Sequence, residues 1–146
     1  MILYLDTSSL VKLYVEEEGS QAVRDQVSAA EAVATSHIAY AEVRAAFARK
    51  QREGELSQEE YERILDDFHK EWGTYLAIRV SEAIIALAGD LAERHGLRGF
   101  DAIHLGSALA LRDEVKSYIA FSSADERLQA AAKAEGLALK SAEDQE

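Results

Sequence analysis

The sequence predicts an α/β protein, a three-layer α/β/α sandwich around a central parallel sheet of four to five strands. Short apolar runs such as ILYL at 2–5 and YIAF at 118–121 have the composition of strands buried on both faces. Between them lie longer segments whose apolar residues recur at helical spacing. One or two helices between successive strands are typical of a parallel sheet that is covered on both faces.

Five segments are predicted as strands because each is short and mostly apolar. They are 2–5, 32–35, 75–80, 118–121 and 137–139. The third is mixed in pattern, and the fifth is an edge-strand candidate. No internal repeat, linker or low-complexity segment interrupts the alternation.

Helices are predicted after these strands because residues that cap helices precede the periodic segments. The predicted starts are Thr7, Ser20, Ser36, Ser57, Ser81, Asp101 and Asp125. Ser57 and Glu60 have the spacing of a capping box, and the segment 61–72 behind them carries one apolar stripe. Gly54 and Gly73 are predicted to end helices.

Length and composition predict one domain at 1–140, followed by a polar tail at 141–146. A chain of 146 residues with 48% hydrophobic content has room for one substantial core. The chain has no cysteine, which excludes disulfides and thiolate zinc sites and suits a reducing cytoplasm. No apolar stretch approaches the roughly 20 residues of a membrane span.

The formal net charge of −11 argues against a general nucleic-acid-binding protein, which normally presents a basic face. It remains compatible with an enzyme that meets nucleic acid through a small basic rim, for which Arg44, Arg49, Lys50 and Arg52 are candidates. A solvated, salt-bridged helix face explains these four cations equally well. The acidity also fits a basic protein partner.

Four acidic residues stand where the chain passes from strand to helix or enters a helix, each beside apolar residues. They are Asp6, Glu42, Asp101 and Asp125. The carboxyl ends of parallel strands share one edge of a sheet, where open α/β folds bind ligands. Carboxylates gathered there repel one another unless a cation joins them. Oxygen ligands without a Cys or His cluster favour Mg²⁺ or Mn²⁺, and phosphodiester hydrolysis is a reaction that such an ion serves.

Around these acids the chain resembles the PIN-domain ribonucleases, and among them the VapC-type toxins of toxin–antitoxin pairs. The resemblance covers nearly the whole chain and rests on LDTSSLVKLY, on the Ala41-Glu42-Val43 segment, on GFDAIHLGSALAL and on FSSADERLQAAA. The third stretch is the most specific. In the fourth, a Ser or Thr precedes the acid by two positions, and Ser123 occupies that place.

The resemblance implies a fold, a reaction and a set of partners. By resemblance, Asp6, Glu42, Asp101 and Asp125 bind one or two Mg²⁺ or Mn²⁺ ions and are catalytic, while Ser8 and Ser123 donate hydrogen bonds around them. The activity implied is hydrolysis of RNA by metal-activated water. The implied partners are an RNA substrate, a cognate antitoxin and a second copy of the chain.

Other functions and simpler roles for these residues stay open at this point. A haloacid-dehalogenase-like phosphatase would use Asp6 as nucleophile, but usually has a second Asp where this chain has Ser8. A receiver-type signalling domain would need a phosphoacceptor Asp after a middle strand, but the third predicted strand of this chain is followed by Ser81 and Glu82. A catalytically silent PIN-like binding subunit is a further alternative. Asp6, Asp101 and Asp125 also suit helix caps. His104, one turn after Asp101, is expected in core packing or a backbone hydrogen bond rather than at a metal.

Overall fold

A computed structural model describes residues 1–140 and shows strands alternating with helices, as the sequence predicts. The elements in chain order are β1 (Ile2–Leu5), α1 (Thr7–Lys12), α2 (Ser20–Ala29), β2 (Ala32–Ser36), α3 (Ala39–Arg52), α4 (Gln58–Trp72), β3 (Leu76–Ile78), α5 (Glu82–His95), α6 (Gly99–Glu114), β4 (Ile119–Ser122), α7 (Glu126–Ala134) and β5 (Ala138–Lys140). The predicted tail at 141–146 lies outside the described residues.

The five strands form one parallel sheet in the order β3-β2-β1-β4-β5. β1 lies in the centre, paired with β2 from Ile2 to Tyr4 on one side and with β4 from Ile2 to Leu5 on the other. The order reverses between β1 and β4, so their carboxyl ends open a crevice at the position where such sheets bind ligands.

Side chains alternate along β1 between two hydrophobic cores on opposite faces of the sheet. Ile2 and Tyr4 belong to a core built with residues of α5, α6 and α7. Leu3 and Leu5 belong to a core built with residues of α1 to α4. The three-layer α/β/α architecture predicted from the sequence is therefore confirmed. Within residues 1–140, no helix is long and apolar enough to cross a membrane.

The aromatic stripe of α4 packs on the side of the sheet that carries α1 and α3. Phe68 is fully buried and lies near the rings of Tyr14, Tyr40, Phe47 and Trp72, with centroid distances of 5.3–5.7 Å. Offset and edge-to-face ring pairs at such distances add to the free energy gained by burial. The predicted capping box holds the start of this helix.

Local boundaries differ from the prediction where pairing or turns, rather than composition, decide them. β3 is three residues long because it pairs only with Ala34 to Ser36 of β2. Ser36 is not the N-cap of α3, since β2 continues through it and the chain turns before Ala39. α6 begins at Gly99, so Asp101 lies within its first turn rather than at its cap.

Candidate active site

A cavity of about 660 Å³ opens at the carboxyl ends of β1 and β4, and all four predicted acids line it. β1 delivers Asp6 and β4 leads to Asp125, while the first turns of α3 and α6 deliver Glu42 and Asp101. The prediction from sequence placed Glu42 about two turns into its helix. It lies in the first turn, because the helix begins three residues later than expected.

Asp6 is buried at the end of β1 and caps α1, and two hydroxyl groups hold it, one from α1 and one from the turn after β4. Its Oδ1 accepts hydrogen bonds from the hydroxyl of Ser8 at 2.7 Å and from the amide of Ser9 at 3.0 Å. Its Oδ2 accepts one from the hydroxyl of Ser123 at 2.6 Å. Three donors fix the carboxylate and compensate for its removal from water.

Glu42 ends a hydrogen-bonded chain that begins in the core. The buried Tyr4 hydroxyl lies 2.8 Å from Nδ1 of His104, and His104 Nε2 lies 3.0 Å from Oε1 of Glu42. The Thr7 hydroxyl donates to the same Oε1 at 2.5 Å. Burial opposes ionisation of Glu42, yet the hydrogen bonds from His104 and Thr7 prevail and lower its pKa. These hydrogen bonds thus keep Glu42 ionised.

The tautomer of His104 follows from its neighbours. Burial, with a smaller contribution from the charges of Asp6 and Glu42, raises the pKa of Tyr4 well above its ordinary value, so its hydroxyl remains a donor. Nδ1 then accepts from Tyr4, which leaves the Nε2 hydrogen to point at Glu42. His104 was expected in core packing or a backbone hydrogen bond. It is buried, but its partners are side chains.

Asp101 and Asp125 lie on the open side of the cavity. Burial raises the pKa of Asp101, and the negative charges of Asp125 and Asp6 raise it further. Asp125 is the N-cap of α7, where its Oδ1 accepts from the amide of Leu128 at 3.0 Å. Its own amide donates to Ser123 Oγ at 3.0 Å, which links the Asp125 turn to Asp6 through one hydroxyl.

The donor chemistry fits a hard divalent cation, although no closed cage is present. Carboxyl and hydroxyl oxygens line the cavity, and burial together with the charges of Asp125 and Asp6 raises the pKa of Asp101. Among residues 1–140, however, no three Asp, Glu or His side chains are grouped so as to hold a metal ion. An open set of this kind suits Mg²⁺, which keeps several waters and uses one or two carboxylates, better than zinc or calcium.

Among the described residues, four cations also line the cavity despite the acidity of the chain. They are Lys12, Arg49, Lys50 and Arg98. Glu17 lies between the two lysines, 3.1 Å from Lys12 Nζ and 3.4 Å from Lys50 Nζ. Of the predicted basic rim, Arg49 and Lys50 face this cavity, whereas Arg44 and Arg52 are not among its lining residues.

Sequence reasoning missed several residues of the site. Thr7 was considered only as a helix cap, yet it bonds to Glu42, and Lys12 and Glu17 were not considered at all. One sequence signal could have indicated that Thr7 belongs to the site, namely its position directly after Asp6. For Lys12 and Glu17 there was none, since only the folded chain brings them beside Lys50.

The PIN-domain family model matches residues 3–134, and the chain belongs to the PIN-domain family. Within that family it is similar to the VapC ribonucleases. Ribonuclease VapC45 of Mycobacterium tuberculosis is 37% identical over 112 residues, which cover 77% of this chain and 78% of the relative. Ribonuclease VapC46 of the same species is 33% identical over 137 residues, or 94% of this chain and 95% of the relative.

The fold agrees with that of solved toxin–antitoxin proteins. VapBC2 from Rickettsia felis, solved bound to a DNA fragment from the promoter, has a chain that superposes with a TM-score of 0.65. The superposition covers 97% of this chain and 98% of that chain at 17% sequence identity. At this identity the likeness concerns the fold alone.

Proposed function

We propose that this chain is an endoribonuclease of the VapC type, the toxin of a toxin–antitoxin pair, which hydrolyses phosphodiester bonds in RNA with the help of Mg²⁺ or Mn²⁺. The observation that carries the proposal is the meeting of Asp6, Glu42, Asp101 and Asp125 in one cavity that basic side chains also line. The similarity to ribonucleases VapC45 and VapC46 supports the reaction class.

The four acids would hold the cation, which when bound supplies an activated water and polarises a phosphoryl oxygen. The protein's own contribution is to orient Asp6 and to keep Glu42 ionised and oriented. Ser8 and Ser123 hold Asp6 through both of its oxygens. His104 and Thr7 hold Glu42 and lower its pKa. The cations that line the cavity attract the phosphates of the substrate.

The geometry does not favour the phosphatase alternative. That chemistry needs a second carboxyl two positions after Asp6, where Ser8 instead donates a hydrogen bond to Asp6 Oδ1. A catalytically silent subunit would not need to gather four carboxyl groups in one cavity against the cost of burying them.

The protein partners belong to the same proposal. A cognate antitoxin with a basic tail would find complementary charge in the acid-lined cavity, and the chain would form a homodimer in the cytoplasm. Small-angle scattering of the isolated chain tests the dimer. A monomeric scattering mass at high concentration would contradict the dimer and leave the nuclease untouched.

The test of the reaction compares RNA and DNA of the same sequence as single-stranded substrates, with Mg²⁺, with Mn²⁺ and with a chelator. Internal cleavage of RNA alone, lost with the chelator, is expected. Asp6→Asn keeps a residue that caps helices well but removes the charge, so it should stay folded and lose cleavage. Cleavage retained by folded Asp6→Asn, or unaffected by the chelator, would contradict the proposal.

A further inference from the structure

Phe100 is an exposed aromatic side chain beside the acids of the cavity. It is 60% exposed, in the first turn of α6, and it lines the same cavity as Asp101 and Glu42. Among residues 1–140, four large hydrophobic side chains are the most exposed: Leu76, Ile85, Phe100 and Tyr118. Of these four, only Phe100 lines the cavity.

The ring of Phe100 lies outside the two hydrophobic cores of the protein. It belongs to neither hydrophobic core, and none of the ring pairs within the described chain includes it. Tyr40 and His37 differ, because Tyr40 stacks on His69 and His37 on Trp72. Tyr118 is as exposed as Phe100 and has no ring partner among the described residues, but it does not line the cavity. Folding therefore does not account for an aromatic residue at position 100, whereas a ligand with a flat apolar face would.

The neighbours of Phe100 indicate the chemistry of that ligand. Asp101 follows it directly, about 3.8 Å away between Cα atoms. Arg98 precedes it by two residues, with its side chain 86% exposed and its Nε 3.9 Å from Asp101 Oδ2. Arg49, which lines the same cavity, has no ion pair among the described residues. An exposed aromatic face beside one arginine, in a cavity that holds a second, is matched by a nucleotide of a single strand, which presents a flat base and a phosphate.

We propose that Phe100 is a stacking platform for one nucleobase of the RNA substrate, at or next to the scissile phosphate, with Arg98 available to the adjoining phosphate. This inference rests on the proposed function and goes beyond it, since it assigns a binding subsite to a residue outside the acid set. Stacking tolerates every base because each has a π-face, so the platform positions the strand more than it selects a sequence.

Steady-state cleavage of a single-stranded RNA 12-mer, with its cut site mapped first, tests the platform. Phe100→Ala should raise KM roughly tenfold, which is within the range for loss of one base–aromatic stack, and should change kcat far less. Phe100→Trp should keep the wild-type KM. Phe100→Leu, which retains apolar bulk without a π-face, should behave like Phe100→Ala. Tyr118→Ala is the matched control, since Tyr118 is 61% exposed and lies outside the cavity.

A second readout separates stacking from a change in the shape of the site. Abasic nucleotides are placed one at a time on either side of the mapped cut. An abasic nucleotide at one of these positions should raise KM roughly tenfold in the wild type. The same nucleotide should raise KM less than about twofold in Phe100→Ala, because this variant has already lost the stack. Unchanged melting temperatures would show that the variants are folded.

The outcomes are distinct. If the wild type cleaves RNA but Phe100→Ala and Phe100→Leu keep its KM, or no abasic position is sensitive, the platform is wrong and the nuclease stands. If Phe100→Ala weakens only the binding of a protein inhibitor, Phe100 is a protein contact and the RNA inference fails. If the wild type cleaves no RNA, the proposed function falls together with this inference.

Discussion

At the scale of single residues, the acids of this site serve the fold as well as the cavity. Asp6 caps α1 and Asp125 caps α7, so the helix-cap role that the sequence left open for these two residues is observed. Each side chain accepts its cap bond through Oδ1. Oδ2 of Asp6 also accepts a hydrogen bond from Ser123, but a carboxylate oxygen can accept more than one partner, so capping does not compete with a role in the cavity.

Two substitutions of Asp125 distinguish its role as a helix cap from its proposed role in binding the cation. Asp125→Asn should keep the α7 cap and the wild-type stability, whereas Asp125→Ala should lose about 1 kcal/mol of stability. Both should lose most of their RNA cleavage if the carboxylate holds the cation. Chemical denaturation and cleavage assays on the two variants check this. Full RNA cleavage by a folded Asp125→Asn protein would mean that Asp125 acts only as a helix cap.

The raised pKa of Asp101 predicts a pH-dependent change in stability. Since its pKa is higher in the folded than in the unfolded chain, ionised Asp101 destabilises the fold at neutral pH, and this cost vanishes as the pH falls through the folded pKa. Asp101→Asn should therefore melt at the wild-type temperature or a few degrees higher at pH 7, by roughly 4 °C per kcal/mol for a chain of this size.

The advantage of Asp101→Asn should disappear in acid, below the ordinary pKa of an aspartate. Asp113→Asn, on the same helix but 78% exposed, is the control and should show little change at either pH. Thermal melts at pH 7 and under acidic conditions decide the matter. A melting temperature well below that of the wild type at pH 7 would show that Asp101 supports the fold instead of straining it.

The hydrogen bond from Thr7 leads to a prediction about Glu42, whose pKa is shifted in the direction opposite to that of Asp101. The pKa of Glu42 is lowered because hydrogen bonds from His104 and Thr7 outweigh the effect of burial. Its stabilising contribution is present above the unfolded pKa and is lost as the pH falls through the lower, folded pKa. Thr7→Val removes one donor at nearly constant volume, so the pKa of Glu42 should rise.

A carbon-detected NMR titration of the Glu42 carboxyl measures this change directly. Thr74→Val is the control, because its hydroxyl bonds to a backbone carbonyl on an exposed turn away from the site. An unchanged Glu42 titration in Thr7→Val would mean that His104 alone holds the carboxylate.

At the scale of secondary-structure elements, α3 and α6 connect the core to the cavity. α6 carries Asp101 and His104 three residues apart, and both line the cavity. His104 also reaches Tyr4 of β1. α3 carries Glu42 at one end and the fully buried Phe47 further along, against α4. The position of Glu42 therefore depends on how α4 packs on α3.

Substitution of Phe68 in α4 measures how strongly α4 packs on α3. Phe68→Ala should destabilise the protein by about 3–5 kcal/mol, because a large buried ring is replaced by a cavity among four aromatic neighbours. Lys70→Ala, on the exposed side of the same helix, should change stability by less than about 0.5 kcal/mol. Urea denaturation provides both values. A loss below about 1 kcal/mol for Phe68→Ala would mean that α4 packs loosely.

At the scale of the whole molecule, excess negative charge opposes both folding and RNA binding. A net charge of −11 over 146 residues implies self-repulsion that salt screens. Raising NaCl from low to physiological concentration should raise the melting temperature of the metal-free protein. Mn²⁺ at equal ionic strength should raise it further by binding the folded state, and should do so much less in Asp101→Asn. Equal Mn²⁺ shifts in both proteins would count against Asp101 as a ligand.

The sequence by itself determined the fold class and the identity of the four acids. The apolar runs and caps predicted the layers because burial and capping are local patterns, and Asp6 and Asp125 lie directly in those patterns. The resemblance to the PIN-domain family strengthened the assignment of Glu42, whose predicted position inside a helix carries no distinctive local signal.

Only the tertiary structure decided which residues surround those acids. Thr7, His104 and Glu42 come from positions up to 97 residues apart, and their hydrogen bonds exist because β1, α3 and α6 meet at one sheet edge. Phe100 is likewise an ordinary apolar residue in the sequence, and only the fold shows that it is exposed beside the cavity. Local patterns specify which segments are buried, but contacts between distant segments depend on strand order, which no short stretch of sequence encodes.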